Sequence, residues 1–127
     1  MNTKYIMVAS AIVLAIAGLA LSFFPVDILE ATGLPASGLP VLLLQVTGAM
    51  YLGFAMMNWM AKTVLIGGIY ARPLCMGNFL HFTIGAIALA KGLFYGESGK
   101  LLLGITLLYV IFSIRFGWVL FNSPKQK

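Results

Sequence analysis

Residues 5–24 read YIMVASAIVLAIAGLALSFF, an apolar run of 20 residues that contains no charged side chain. About 20 consecutive apolar residues are what a helix needs to cross the hydrocarbon core of a bilayer. A secretory signal peptide is the alternative, with Gly18-Leu19-Ala20 as its cleavage sequence, but the apolar run continues beyond that point. The stretch therefore predicts a retained transmembrane helix.

Three further apolar runs have a similar length, namely residues 39–60, 74–93 and 101–121. The segment between the second and third of the four runs, residues 62–72, contains a glycine pair and is too short to cross a membrane. We therefore expect an all-α, polytopic membrane protein in which residues 1–127 form a single domain, a bundle of four transmembrane helices.

The composition indicates that lipid is the solvent of this chain. It has 61% hydrophobic and 9% charged residues, against about 45–50% apolar and about 25% charged residues in an ordinary soluble domain. A small soluble domain cannot bury that much apolar surface. The net charge of +5 does not indicate nucleic acid, because the lysines and arginines stand at the ends of apolar runs, where they reach lipid headgroups.

The residue types that usually carry chemistry are scarce. The chain has one cysteine and one histidine, which excludes a disulfide within the chain and a metal site with several cysteine or histidine ligands from one chain, although an oligomer could pool ligands. No familiar catalytic motif is present, and no paired carboxylates lie at membrane depth. We therefore predict no catalytic residue and no metal site, and we assign no cofactor.

The distribution of basic residues predicts the orientation of the helices, because cytoplasmic loops are enriched in lysine and arginine. Two basic residues, Lys91 and Lys100, lie on one side, together with the acidic residues of the chain. The basic residues of the opposite side are Lys4, Lys62, Arg72, Arg115, Lys125 and Lys127. We therefore expect both termini in the cytoplasm and the protein in the bacterial inner membrane.

Polar side chains inside the hydrocarbon are costly, so they are the first candidates for a functional site. Asn78 and His81 are three residues apart and share one face of the third span. At a rise of about 1.5 Å per residue, Asn58 and Arg115 lie in the same, cytoplasmic half of the membrane. The predicted ligand-binding residues, which would line one polar pocket, are Tyr51, Asn58, Asn78, His81 and Arg115.

These polar residues also have structural interpretations, which the sequence leaves open. A transmembrane histidine such as His81 can hydrogen-bond across a helix contact, for instance to Asn58, or it can relay protons. Arg115 has a side chain long enough to reach lipid phosphates from inside the membrane. The five residues are then separate, and no pocket is formed.

Small and polar residues in the spans indicate where helices pack closely. Gln45 lies deep in its span and is expected to form an interhelical hydrogen bond. The predicted helix-packing residues are Gln45, Gly48, Gly53, Gly85 and Ala88. No span has a continuous polar stripe, so we expect tight packing rather than a water-filled channel.

The connection between the second and third spans combines two cations with an aromatic residue. The candidates for binding lipid phosphate or the acidic patch of a partner are Lys62, Tyr70 and Arg72. Arg72 is the better donor, because a guanidinium can form two parallel hydrogen bonds to one phosphate. The alternative is a loop whose positive charge only sets the orientation of the chain.

The run Gly48-Ala49-Met50-Tyr51-Leu52-Gly53-Phe54-Ala55 is followed by a basic connection into the third span. With the four spans and the short chain, this pattern resembles the DoxX-like group of small bacterial membrane proteins. The resemblance implies an accessory role, since some members are associated with quinol oxidation or redox complexes, and it transfers no catalytic residue.

Three functions are compatible with these features. The first, which we prefer, is a non-catalytic accessory or scaffolding subunit that binds membrane lipids and either a membrane-protein partner or further copies of itself. The second is a binder or carrier of a lipophilic small molecule, a quinone or a lipid, in the inner half of the bundle. The third is an enzyme or proton-linked transporter centred on His81.

Overall fold

The computed structural model describes residues 3–64, 71–96 and 99–122, and every regular element in these ranges is helical. A single turn of 3₁₀-helix, Ala61–Thr63, extends the third helix. The α-helices are α1 (Lys4–Phe23), α2 (Pro25–Ala31), α3 (Leu39–Met60), α4 (Arg72–Phe94) and α5 (Lys100–Phe121).

Four of these helices, α1, α3, α4 and α5, are long and apolar enough to cross a membrane. The predictions of an all-α chain and of four such helices are confirmed. Each of the four begins and ends within two residues of the apolar run that predicted it. The orientation of the termini stays a prediction, as does the arrangement of the four helices in one bundle.

The short helix α2 separates the first two long helices. Pro25 is its first residue and is buried, and it suits that position because its fixed φ is already helical and it has no N–H to leave unpaired. At the other end the Thr32 hydroxyl donates to the Leu29 carbonyl oxygen at 2.9 Å. Gly33 follows with φ +72°, the left-handed conformation that glycine adopts after a helix without steric cost.

The chain divides into two compact units. One is Met7–Lys62, which contains nearly all of α1, together with α2 and α3, and is called the α1–α3 unit below. The other is Met1–Ile6 with Thr63–Lys127, which contains α4 and α5 and is called the α4–α5 unit.

In the α1–α3 unit, the two long helices cross backbone to backbone at a pair of glycines. A Cβ atom on Gly18 would lie 2.8 Å from the Leu52 Cγ and 3.0 Å from the carbonyl oxygen of Gly48. A Cβ atom on Gly48 would overlap the Ser22 hydroxyl and lie 2.8 Å from the Gly18 carbonyl oxygen. Small residues permit such close approach, which is a main source of helix association in lipid because hydrophobic burial no longer drives it.

In the α4–α5 unit, aromatic rings form the contact between the helices. The ring of Phe82 is fully buried and stacks on Phe112 and Phe116, with centroids 4.8 and 5.7 Å apart. Tyr109 meets the same ring edge to face at 5.2 Å. Gly85 makes room for the Tyr109 ring, since a Cβ atom on Gly85 would lie 2.5 Å from the Tyr109 Cε1. Such offset and edge arrangements are the favoured geometries of aromatic pairs.

Candidate functional site

The α1–α3 unit contains a buried chain of hydrogen bonds between its two long helices. The Asn58 amide nitrogen of α3 donates to the Ser10 hydroxyl of α1 at 2.9 Å. That hydroxyl in turn donates to the Met7 carbonyl oxygen at 3.0 Å. Both polar side chains are fully buried, so the predicted ligand-binding residue Asn58 serves here as an interhelical contact. Tyr51, two turns earlier in α3, is half-buried.

Ser10 was not among the predicted site residues. Serine in a helix usually bonds a carbonyl of the preceding turn, and Ser10 does so, which makes it inconspicuous in a sequence. The signal that identifies it is spacing: the buried residues of α1 recur at helical intervals, and Ser10 stands in the same series. That series is Met7, Ser10, Ala11, Leu14 and Gly18.

The α4–α5 unit holds the other three predicted ligand-binding residues. The Nε2 of His81 lies 3.3 Å from the Tyr109 hydroxyl, within hydrogen-bond distance, and the imidazole packs edge to face against Phe82 at 5.0 Å. Asn78 is fully buried, and its amide donates to the Leu74 carbonyl oxygen at 3.0 Å. The histidine thus reaches across to α5, as its structural interpretation expects, with Tyr109 as the partner.

Arg115 lies on a different side of α5 from this aromatic contact. Its side chain is exposed, whereas Tyr109, Phe112 and Phe116 of the same helix are buried. This exposure is compatible with the interpretation in which the guanidinium reaches lipid phosphates while the methylene stem stays in the apolar region.

The predicted interface residues fall partly outside the described ranges, which do not include Tyr70. Arg72 is the first residue of α4 and is exposed. The Lys62 ammonium lies over the Trp59 ring, 3.3 Å from its centroid, a distance at which the negative face of the indole attracts a cation.

The predicted helix-packing residues divide into two groups. Gly48 lies in the α1–α3 crossing, and Gly85 lies under the Tyr109 ring. Gln45, Gly53 and Ala88 are exposed instead.

An apolar groove, which the sequence did not suggest, lies between α1 and α3. It has a volume of about 510 Å³. Its lining residues are Ala11, Ile12, Ala15, Leu52, Ala55, Met56 and Trp59. A groove lined by apolar side chains has no distinct signal in an apolar span, where polar residues are what indicates a site. The alanine pair at residues 11 and 15 is a weak indication of it, since short side chains one turn apart leave a depression on a helix surface.

Among the described residues, no group of three histidine, cysteine, aspartate or glutamate side chains is placed to hold a metal ion. No protein-family model, curated protein or solved structure matches the chain. The DoxX-like resemblance therefore stays a prediction from the sequence. The structure shows a helical chain with four helices that are long and apolar enough to cross a membrane. Some of the polar side chains that it describes form hydrogen bonds between helices.

Proposed function

We propose that this chain is a non-catalytic accessory or scaffolding subunit that binds another membrane protein through an exposed face of α3. That face, called the association face, consists of Gln45, Ala49 and Gly53. The three residues are four apart and so lie on one side of the helix, and all three are exposed. This combination of an exposed amide with two small residues carries the proposal.

The amide is the polar part of the association face. Gln45 is six residues into α3, about 9 Å along the helix axis, which is within the hydrocarbon if α3 crosses the membrane. An amide without a hydrogen bond in an apolar medium costs roughly 2–7 kcal/mol. A partner helix that offers a hydrogen bond to Gln45 removes part of that cost, so association is favoured.

The small residues permit close approach at the same face. A Cβ atom added at Gly53 meets nothing within 4 Å, so the backbone there is open to a neighbour. At Gly48, in contrast, the equivalent space is already filled by α1. The same helix therefore has one small-residue face used within the chain and a second that is available to another helix.

We place the protein in the bacterial inner membrane, with both termini in the cytoplasm. Six lysine and arginine residues on the side of the termini, against two on the other side, favour cytoplasmic termini and an inner-membrane protein. The partner is a different membrane protein or a second copy of this chain. The DoxX-like resemblance, which implies an accessory role, agrees with the proposal without testing it.

The test is the mass of the protein extracted in mild detergent, measured by light scattering after size exclusion. We expect a stoichiometric complex larger than one 13.7 kDa chain. Gly53→Ile, which fills the association face, should reduce it to a monomer, and Gln45→Leu should weaken it. Gly104→Ile is the matched control, because Gly104 of α5 is also exposed and has the same open space.

Two differently tagged copies expressed together show whether one complex contains more than one copy of this chain, and the measured mass shows whether it contains another protein as well. A homogeneous lone monomer of the unchanged protein contradicts the proposal. So does a complex that survives Gly53→Ile as well as it survives Gly104→Ile.

A further inference from the structure

We propose that the apolar groove between α1 and α3 binds an acyl chain of an anionic phospholipid, and that Lys62 holds the lipid phosphate. The inference does not depend on the scaffolding role, because the residues that line the groove and Lys62 do not include Gln45, Ala49 or Gly53, although the two faces of α3 adjoin. It rests on the shape of the groove, on its apolar lining and on the cation placed beside it.

The shape of the groove suits a flexible hydrocarbon chain. Its 510 Å³ falls within the range of about 300–1,000 Å³ that ligand sites occupy. Ala11, Ala15 and Ala55 contribute short side chains, while Leu52 and Met56 are larger and border them. In lipid such a depression is filled by whatever packs best against it, because van der Waals contact rather than hydrophobic burial decides binding.

The position of Trp59 shows which part of the groove lies nearest the membrane surface. Trp59 lines the groove and is the penultimate residue of α3. Tryptophan is enriched at the boundary between hydrocarbon and headgroups, where its ring is half in an apolar region and half hydrogen-bonded. A lipid whose chain follows the groove therefore has its headgroup beyond Trp59.

Lys62 supplies the charge that selects the headgroup. It follows Trp59 by three residues, and its ammonium lies 3.3 Å from the centroid of the indole. The contact with the ring holds the long side chain at the end of the groove. A fixed cation at headgroup level attracts a lipid with net negative charge more than a zwitterionic one. The occupant is thus an anionic phospholipid rather than an uncharged quinone.

Quenching of Trp59 fluorescence by brominated acyl chains tests this proposal in the full chain. Trp118→Phe makes Trp59 the sole indole, since the chain has two tryptophans. The protein is reconstituted in phosphatidylcholine vesicles with a minor fraction of phosphatidylglycerol, and one of the two lipids is brominated. We expect brominated phosphatidylglycerol to be enriched at Trp59 about fivefold over its bulk fraction, because one lysine near the lipid contributes about 1 kcal/mol.

Two pairs of variants separate the charge from the groove. Lys62→Gln should abolish the preference for phosphatidylglycerol. Lys91→Gln, at an exposed lysine of α4, should leave that preference unchanged. Ala15→Leu fills the groove and should lower quenching by both lipids. Ala9→Leu makes the same change at an exposed position of α1 and should have little effect.

Several results overturn the proposal. One is equal quenching by both brominated lipids in the protein with Lys62 intact. Another is a preference that persists after Lys62→Gln. A third is displacement of brominated phosphatidylglycerol by unlabelled phosphatidylcholine as readily as by unlabelled phosphatidylglycerol. The displacement experiment uses the unmutated groove, so it decides the matter even if Ala15→Leu fails to fold.

Discussion

At the scale of single residues, Asn58 and His81 each contact a side chain of another helix. Asn58 and His81 stand out in the sequence because polar groups are rare in apolar runs. Their contacts with Ser10 and Tyr109 depend on which helix faces meet, and a sequence pattern does not determine this. The polar pocket that would unite residues of both units stays a prediction.

The hydrogen bond from Asn58 to Ser10 leads to a prediction about stability. Asn58→Ala and Ser10→Ala should each destabilise the protein, and the double variant should cost less than the sum of the two. We expect a coupling free energy of about 0.6–2 kcal/mol, the range for hydrogen bonds between transmembrane helices. Unfolding by a denaturing detergent, followed by circular dichroism, measures it.

Thr47→Ala is the matched control for these two substitutions. The Thr47 hydroxyl donates to the Leu43 carbonyl oxygen of its own helix at 2.7 Å, so its loss breaks no contact between helices. Additive effects of Asn58→Ala and Ser10→Ala would show that the buried bond does not contribute to holding α1 and α3 together.

At the scale of helices, the length of each element was predictable and the pairing of faces was not. Hydrocarbon thickness sets the length of an apolar run, and proline and glycine mark its ends. Pairing is harder to predict because lipid is as apolar as most of the helix surface. Gly48 and Gly53 illustrate this: both were predicted to pack against a helix, but only Gly48 contacts α1, whereas Gly53 is exposed.

The difference between these two glycines predicts opposite effects of the same substitution. Gly48→Ala forces a methyl group onto Ser22 and the Gly18 carbonyl and should destabilise the protein by about 1–3 kcal/mol, as overpacking does in other cores. Gly53→Ala meets open space within the single chain and should be neutral or stabilising in the dissociated monomer, because alanine favours helix more than glycine does. The same detergent unfolding experiment compares them, and equal effects would contradict the observed crossing.

At the scale of the whole molecule, composition decides the class of protein. A chain that is 61% hydrophobic and places its apolar residues in four long helices exposes many large apolar side chains, including Ile16, Leu42, Ile84 and Ile111. In water such surfaces would aggregate, and in a membrane they face lipid. The function is not predictable in this way, since a fold does not imply a function.

The central claim is that four helices cross the membrane, and cysteine accessibility tests it most directly. Single cysteines are introduced into a Cys75→Ala background at exposed positions between the helices and after the last one. These substitutions are Ser37→Cys, Thr63→Cys, Gly99→Cys and Asn122→Cys. A membrane-impermeant maleimide is then applied to intact spheroplasts and to inverted vesicles.

We expect alternation along the chain. Cysteines at 37 and 99 should react from outside in spheroplasts, and those at 63 and 122 should react only in inverted vesicles, because each intervening helix crosses the bilayer and the basic segments stay in the cytoplasm. The reverse alternation would retain four crossings and contradict only the orientation. Labelling of two successive positions from the same side would contradict the four-span account itself.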